Sequence, residues 1–476
     1  RAEAAATLAL VGGDDAWKEA QSVCSGDKDP RARRAALVAL STIYTGADAK
    51  SRGELVARLA TDASPEVRLT AATALGIKGN QEAAAPLEKA LTDSDWKVQV
   101  CAAVSLGKLQ TAGAVEKLAG LAKSAPTWQL RAAAVEGLAR TFRKECVPGI
   151  IAVVADADPT VQKTAHAFLC TVAEKQLPPK VDVWTDWWAK NGAKIEIVER
   201  PKGPATGKPS AQSDTQAPVV DFGIWRSLDV VVLDSRGDHI QRILERLKFE
   251  HRTTIAGKVG DAGLHPAAVF VANCTGEIAP ADVERLEWFV LAGGRLFGSC
   301  WALSETIAKI FPGVLNKYET SNEVLENVPA SNCAPESPYL QGVFGAGVEP
   351  VFVLEGAHLI DVLAPERCEV LIDSPHCAQS WGSGTLAALF TEGHGTVVDS
   401  VNHFEDQGFD HVEGLKTSEQ RQAWAVDHMG YALEDLRKTR NERWWDKGNQ
   451  ASEHVQDLLV FRLVTNVVKI ERGWTQ

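Results

Sequence analysis

The sequence has no uninterrupted apolar run approaching the roughly 18 residues that a membrane-spanning helix needs, and nothing near Arg1 resembles a signal peptide. It also lacks an excess of basic residues, because 50 Lys and Arg stand against 62 Asp and Glu, for a formal net charge of -12. A dedicated nucleic-acid binder needs a basic surface to neutralise phosphates. We therefore expect neither a membrane span nor a nucleic-acid partner.

The nine cysteines form no C-x-x-C pair, so the usual framework of a structural zinc site is missing. Because nine is an odd number, the cysteines cannot all be joined in disulfides within the chain. We expect most of them to be small buried side chains in a reducing compartment, which favours the cytoplasm. The sequence predicts no metal and no cofactor.

What is present is typical of a folded protein, with 45% hydrophobic and 24% charged residues. A chain of 476 residues has roughly the length of three ordinary domains. The charge is uneven, because residues 1–200 carry 26 basic and 24 acidic residues, whereas the remainder carries 24 and 38. We therefore expect at least two domains with different surfaces.

An internal repeat organises residues 1–175. Five marker residues recur at intervals of 31 to 35 residues, and each follows a residue suited to cap the N-terminus of a helix. The markers are Pro30, Pro65, Trp96, Trp128 and Pro159, and the capping residues are Asp29, Ser64, Asp95, Thr127 and Asp158. Apolar residues follow at steps of four, and an alanine always stands six residues after the marker. Each repeat is predicted to be a pair of helices with one apolar, closely packed face.

These repeats resemble the short variety of HEAT repeat. The resemblance implies an all-α solenoid that binds a protein partner through its concave face. The alternative is a stabilising appendage without a partner. A tryptophan cluster in Val181–Asn191 predicts a helix that caps the last repeat, so the solenoid is assigned to residues 1–192.

The start of the chain falls inside the repeat pattern. Ala2, Ala6 and Leu10 match the template of a marker helix, but no capping residue precedes them. We expect the chain to be a fragment, or to have been preceded by further repeats.

The composition changes in the middle of the chain. Lys202–Pro218 is rich in proline, glycine and small polar residues, which predicts a linker at residues 193–220. Strands and helices alternate afterwards, so residues 221–476 are predicted to form an α/β domain with a parallel sheet and helices on both faces. The predicted strands are Leu228–Leu233, Ala267–Ala272, Arg295–Ser299, Cys368–Ile372, Leu386–Phe390 and Thr396–Val401, and the predicted helices are His239–Leu247, Ala279–Ala292 and Trp301–Phe311. The turn Thr391–Gly395 predicts a hairpin.

Cys300 stands where the predicted strand Arg295–Ser299 turns into a helix. Such an elbow lifts a side chain above the sheet edge and points the helix N-terminus at it, which lowers the pKa of a thiol from about 8.5. The backbone N–H of Trp301 and a neighbouring loop could hold an oxyanion. His403 follows the last predicted strand and could act as base, and Glu405 could fix the tautomer of its imidazole.

This arrangement resembles the class I glutamine amidotransferase-like fold over about residues 225–470, and it looks most similar to the trehalose-utilisation-type and uncharacterised branches. The resemblance implies a flavodoxin-like sheet with Cys300 as nucleophile, His403 as base and Glu405 as orienting acid. It also implies thiol-dependent amide hydrolysis or acyl transfer on a small-molecule amide. The residues expected to bind substrate are Thr275, Gly276, Trp301 and His376.

Departures from the family pattern leave alternatives open. Ala302 replaces the usual final glycine of the elbow, and Phe404 replaces the usual proline between the base and the acid. In the competing hypothesis the α/β domain is a non-catalytic module for interaction or assembly. A weaker third hypothesis is a carbohydrate-related role, which depends on fold likeness alone. Cys274 lies in a neighbouring loop and could face Cys300, so a redox pair is conceivable.

Overall fold

The structure is a computed structural model that describes residues 1–195, 197, 229–235, 237–246, 250–319, 324–337, 339–340, 351–401, 403 and 419. Most of the predicted linker, residues 198–220, lies outside this part of the chain, as does Glu405. The domain boundaries therefore remain a prediction. None of the described helices has both the length and the apolarity needed to cross a membrane.

The first half is helical, and its helices alternate as first and second members of successive repeats. The first helices are α1 (Ala2–Val11), α3 (Pro30–Ile43), α5 (Pro65–Leu75), α7 (Trp96–Lys108), α9 (Trp128–Arg140) and α11 (Pro159–Ala173). The second helices are α2 (Gly13–Gly26), α4 (Ala49–Thr61), α6 (Ala84–Ala90), α8 (Ala112–Ser124), α10 (Val147–Ile151) and α12 (Val181–Asn191). The predicted helical solenoid is thus confirmed, as is the boundary of its last helix.

The predicted helix caps are only partly present. The aspartates accept hydrogen bonds from backbone N–H groups of the first turn, which satisfies donors that a helix leaves unpaired. These aspartates are Asp29, Asp95 and Asp158. Ser64 and Thr127 precede α5 and α9 without such a side-chain bond.

Small residues hold the repeats together. The alanines at the sixth position are fully buried, namely Ala36, Ala71, Ala102, Ala134 and Ala165. At the contact of α7 with α9, a Cβ atom added to Gly107 would lie 2.0 Å from the carbonyl oxygen of Gly137. The two backbones therefore touch, which only residues without a side chain permit. At the end of the stack, fully buried Trp184 of α12 packs edge-on against His166.

The second half contains a mixed sheet of eight strands in the order β2-β1-β3-β4-β12-β11-β10-β7. The strands are β1 (Val230–Leu233), β2 (His251–Thr254), β3 (Val269–Ala272), β4 (Arg295–Ser299), β5 (Leu315–Lys317), β6 (Val324–Pro329), β7 (Ser331–Asn332), β8 (Val351–Ala357), β9 (Ile360–Val362), β10 (Cys368–Asp373), β11 (Thr385–Glu392) and β12 (Gly395–Ser400). The numbered helices of this half are α13 (Ile240–Arg246), α14 (Val259–Ala262), α15 (Pro280–Leu291), α16 (Ala308–Ile310) and α17 (Pro375–Trp381). Strands β5 and β9, and β6 and β8, form two small antiparallel sheets.

The pairing shows that the predicted parallel sheet is a mixed one. Strands β2, β1, β3, β4 and β12 run parallel, but β11 is antiparallel to β12, and β10 is antiparallel to β11. The reason is the predicted hairpin, because a turn as short as Gly393-His394 can join only antiparallel neighbours. Parallel strands remain at the centre, where β4 and β12 lie side by side.

Charged residues join the solenoid to the α/β half. Arg34 of α3 contacts Glu392 at 2.9 Å, and the side chains are 10% and 9% exposed. Arg285 of α15 makes two hydrogen bonds of 2.8 and 2.9 Å to the carboxylate of Asp158, the residue that caps α11. The solenoid side of these pairs belongs to the first helices and their caps. The face formed by those helices therefore binds the α/β half of its own chain.

Aromatic contacts and the hairpin turn complete this interface. Trp128 packs against Trp288 with ring centroids 5.6 Å apart, and the guanidinium of Arg285 lies 3.6 Å from the Trp128 ring centroid. In the turn between β11 and β12, His394 places Nε2 3.0 Å from the hydroxyl of Ser105 in α7. The turn is thus inserted against the solenoid at the start of β12.

Candidate thiol–imidazole site

The predicted elbow is present at Cys300. Strand β4 is buried along its whole length and ends at Ser299, and Cys300, the next residue, has φ of 52°. This left-handed conformation is uncommon for residues other than glycine. The backbone N–H of Cys300 donates to the carbonyl of Ser400 at 2.8 Å, so the end of β12 holds the bend in place.

The segment after the elbow differs from the predicted helix Trp301–Phe311. It forms a π-helical turn at Leu303–Ile307, followed by the short helix α16. The hydroxyl of Thr306 donates to the carbonyl of Gly276 in the loop after β3. π-helical turns are rare and often occur at functional sites. Here the turn ties the elbow to the neighbouring loop.

Three side chains converge beside the elbow. The sulfurs of Cys274 and Cys300 and an imidazole nitrogen of His403 all lie within 4.8 Å of one another. Both cysteines are buried, with 3% and 2% exposure, and His403 is half-buried. The structure therefore brings predicted Cys300 and His403 together and adds Cys274, which the sequence suggested only as a redox partner. Glu405 lies outside the described residues.

The two thiols have opposite pKa shifts. The pKa of Cys274 is lowered to about 5, first by a hydrogen bond from the Cys300 thiol and also by His403, with burial acting against this. The pKa of Cys300 is raised well above its usual range by the same bond, by burial and by the charge on Cys274. The backbone N–H of Trp301 favours the charged form of each sulfur. These directions favour the charged form at Cys274 over Cys300, and the assignment of Cys300 as nucleophile stays a prediction.

A buried carboxyl group lies next to this pair. Asp399 of β12 is fully buried and pairs in register with Gly298 of β4, and its oxygens have no hydrogen-bond partner within the described part of the chain. Burial and the negative charge on Cys274 raise its pKa well above the usual value. The neutral form of Asp399 is thus favoured beside the thiols. Sequence reasoning missed it, although a lone acid in the otherwise uncharged segment Thr396–Val401 was a usable signal.

Hydrogen bonds from neighbouring polar groups hold the Cys274 loop in place. The N–H of Cys274 donates to the hydroxyl of Ser299 at 3.1 Å, and that hydroxyl donates to Asp238 at 2.8 Å. The carbonyl of Cys274 accepts from the N–H of Gly237 at 2.9 Å. These bonds fix the backbone that positions the sulfur, and no pattern in the sequence predicts them.

The residues predicted to bind substrate lie in different surroundings. Thr275 is exposed next to Cys274, whereas Gly276 is buried with φ of 73° and lies against Ala302. Trp301 is half-buried, and its indole N–H donates to the carbonyl of Gly356 at 3.1 Å. His376 is exposed on α17, where its Nε2 lies 2.9 Å from a carboxylate oxygen of Glu326. The hydrogen bond of His376 is thus to a residue of β6 and not to either thiol.

The converging atoms are also a possible donor set for a metal. Two cysteine sulfurs and one imidazole nitrogen suit a soft ion such as Zn²⁺, with a fourth position left open. The residues that would hold such an ion are Cys274, Cys300 and His403. The absence of a metal, as the sequence predicts, therefore remains a prediction.

Comparison with known families supports the repeats. A model for HEAT repeats matches residues 53–139. HEAT repeats typically serve as scaffolds for protein interaction. No curated protein matches the chain.

Solved structures give weak likenesses. A β-galactosidase from Rahnella sp. R3 has 10% identity and a TM-score of 0.27, over 37% of this chain and 28% of that one. A cytoplasmic protein from Salmonella typhimurium has 13% identity and a TM-score of 0.28, over 38% and 89%. An exo-β-1,4-mannosidase from Opitutaceae bacterium strain TAV5 has 8% identity and a TM-score of 0.25, over 49% and 36%. This chain thus spans less than a third of the galactosidase, and likenesses with such low TM-scores carry no argument about function.

Proposed function

We propose that the α/β half performs thiol-dependent acyl transfer or amide hydrolysis at the centre formed by Cys274, Cys300 and His403. The observation that carries this proposal is the convergence of two sulfurs and an imidazole nitrogen within 4.8 Å. A thiolate held by donor groups beside an imidazole is the usual arrangement of a cysteine nucleophile. The elbow also resembles that of class I glutamine amidotransferases, with their flavodoxin-like sheet, which supports thiol chemistry here, although the resemblance implies Cys300 and not Cys274 as the nucleophile.

The protonation states suggest how the reaction would run. The Cys274 thiolate would attack the carbonyl carbon of an amide, and the oxygen would take up negative charge near the N–H of Trp301. His403 would give a proton to the leaving amine as the C–N bond breaks. Water would then hydrolyse the thioester and regenerate the thiolate. Because both cysteines are nearly buried, the centre favours small substrates.

A chloro-ketone probe with a glutamine-like side chain tests this function. We expect the probe to label Cys274 at least tenfold faster than Cys333. Although Cys333 is exposed, its raised pKa lowers the fraction of reactive thiolate. His403→Ala should slow the labelling at least tenfold. Cys377→Ala is the matched control, since it removes another buried cysteine and should leave the rate unchanged.

The outcomes separate the assignments. If the probe labels Cys300 and not Cys274, the nucleophile is Cys300 at the elbow, and the proposed function still holds. Equal labelling after His403→Ala, or labelling of Cys333 alone, would contradict the proposal.

A non-catalytic interaction module is the second candidate, and the burial of both thiols favours it. In this case the α/β half would bind partners without turning over a substrate. A substrate whose turnover disappears in Cys274→Ala or Cys300→Ala, with the fold unchanged, would defeat it.

The HEAT scaffold has a proposed role inside the chain. The first helices contact the start of β12 through His394. Cys300 and His403 both lie beyond the other end of these parallel strands, where β4 and β12 finish. The two ends of β4 are four residue steps apart and those of β12 are five, a distance of about 13 to 17 Å. We propose that the solenoid braces the two strands that carry the site. The external protein partner expected from the repeats would then bind another surface.

A further inference from the structure

Cys274 and Cys300 follow the carboxyl ends of two neighbouring strands. Strands β3 and β4 are parallel and pair Ala272 with Gly298, and each cysteine comes two residues after its member of this pair, just beyond the end of its strand. Neighbouring strands are about 4.8 Å apart, and the Cα atoms of a disulfide are usually about 4.4–6.8 Å apart. The sulfurs already lie within 4.8 Å and share a hydrogen bond. The proximity of the two sulfurs at the ends of adjacent strands therefore suits a covalent bond between them.

Both backbones are anchored near this spacing. The N–H of Cys274 is fixed by Ser299 at 3.1 Å, and the N–H of Cys300 is fixed by Ser400 at 2.8 Å. Because these bonds hold the main chain of each cysteine in place, the sulfurs can be joined by rotation of the side chains, with little movement of the strands. An anchored pair loses little conformational freedom when the bond forms.

We propose that Cys274 and Cys300 form a reversible disulfide in response to peroxides, a property that does not depend on the acyl-transfer function. The sulfur of Cys274 attacks one peroxide oxygen, the O–O bond breaks, and the departing hydroxide takes up a proton to become water. Cys274 is then a sulfenic acid. The sulfur of Cys300 attacks the Cys274 sulfur, the S–O bond breaks, and the hydroxyl leaves as water with the Cys300 proton. Two thiols are thus oxidised while one peroxide is reduced to two waters.

The surroundings make the pair selective. With 3% and 2% exposure, the cysteines are open only to small oxidants such as hydrogen peroxide. Other buried cysteines stay as unreactive thiols, because burial raises the pKa of Cys24, Cys101 and Cys146 to about 12. Oxidation by limited peroxide should therefore concentrate on the pair.

Peptide mapping of the full chain tests the proposal. The reduced, chelator-treated protein is exposed to equimolar hydrogen peroxide, alkylated and digested with trypsin. Cys274 lies in the tryptic peptide 259–285 and Cys300 in the peptide 296–309. We expect these two peptides to be linked, with the loss of two hydrogens, in at least half of the molecules. Dithiothreitol should separate them.

Two variants keep the test decisive. In Cys300→Ser the sulfenic acid on Cys274 has no resolving thiol, so dimedone should trap it at least fivefold more than in the parent protein. Cys377→Ser should behave like the parent. The proposal is overturned if Cys333 is oxidised while the two peptides stay unlinked, or if dimedone traps Cys274 equally with and without Cys300. Failure of the chloro-ketone probe would reject the acyl-transfer function and leave this result unaffected.

Discussion

Arg34 in the solenoid donates to Glu392 at the end of β11 across 2.9 Å, and both side chains are about nine-tenths buried. Arg367 contacts the same carboxylate, so the acid is shared between the two halves of the chain. The pKa of Glu392 is lowered by these two arginines in spite of its burial. This cluster lies next to the turn that inserts His394 into the solenoid.

Removing Arg34 should destabilise the protein. Arg34→Ala leaves a buried carboxylate with one cation in place of two, so we expect the free energy of unfolding to fall by about 3 kcal/mol. Arg31→Ala is the matched control, because its side chain is 49% exposed in its pair with Glu366 and should contribute less than about 1 kcal/mol. Urea denaturation of the full chain measures both. If both variants lower the free energy of unfolding by the same amount, the buried pair contributes no more stability than the exposed one.

The interface should also weaken in acid. Burial and the charge of Lys108 hold the pKa of His394 well below its usual 6.5, so the folded protein keeps this imidazole neutral. The unfolded chain binds a proton below about pH 6.5, and stability is therefore lost as the pH falls, at about 1.4 kcal/mol per unit. Between pH 7 and pH 5 the contribution is about 2 kcal/mol. We expect His394→Asn to abolish this part of the pH dependence.

The measurement is the difference in unfolding free energy between the parent and His394→Asn at several pH values. Other titrating groups cancel in this difference. A difference that stays constant from pH 7 to pH 5 would mean that the histidine is protonated in the folded state.

The alkylation of Cys274 should depend on Cys300. With a pKa of about 5, Cys274 should react with iodoacetamide at a rate that is half-maximal near pH 5 and nearly constant from pH 6 to 8. Cys300→Ala removes the principal donor to this thiolate, so the midpoint should rise by at least about one unit. Site-resolved mass spectrometry gives the profile. An unchanged midpoint would show that the Cys300 thiol does not stabilise the charge.

Asp399 should reduce stability at neutral pH. Because its pKa is raised in the folded state, the folded protein retains a proton that the unfolded chain loses above about pH 3.8, and stability falls as the pH rises beyond that value. Asp399→Asn should therefore stabilise the protein at pH 7, with a smaller gain at pH 4.5. Thermal or urea unfolding at the two pH values checks this. A gain that is the same at both would contradict the proton linkage.

A side chain added at the contact between α7 and α9 should destabilise the protein. Gly107→Ala places a methyl group against the backbone of Gly137, and we expect a loss of about 3 kcal/mol. Gly120→Ala in α8 is the control, because nothing lies within 4 Å of its Cβ position and alanine favours a helix by about 0.5–1 kcal/mol. Denaturation midpoints should move in opposite directions. Two shifts of the same sign would refute the role of the glycine contact.

The repeats could be predicted because their sequence pattern is local and recurs along the chain. The marker spacing predicts the helices, and the alanine at the sixth position is buried in each of the five repeats that the pattern defines. Six of the twelve described strands of the α/β half were also predicted, and Arg295–Ser299 agrees at both ends, but β2 and β5 to β9 were missed. The mixed sheet was partly visible, since Thr391–Gly395 already predicts a hairpin that parallel strands cannot have.

The site was only half predictable. Cys300 follows from the strand-to-helix pattern, but the role of Cys274 depends on the register between β3 and β4, which a single sequence does not specify. The pKa of each thiol depends on the other, so neither could be assigned from its own neighbours in sequence. Asp399 was overlooked because its importance arises from burial and proximity.

The covered face of the first helices bears on how the protein can be produced. Cutting the chain at the linker would leave Trp128 on one fragment and Trp288 on the other, both with apolar surface newly open to water. Each fragment would also keep one partner of the Arg34–Glu392 pair. Expressed separately, the fragments should aggregate, and they should recover solubility when co-expressed. The repeats therefore cannot be transplanted onto another protein without a matching surface to receive them.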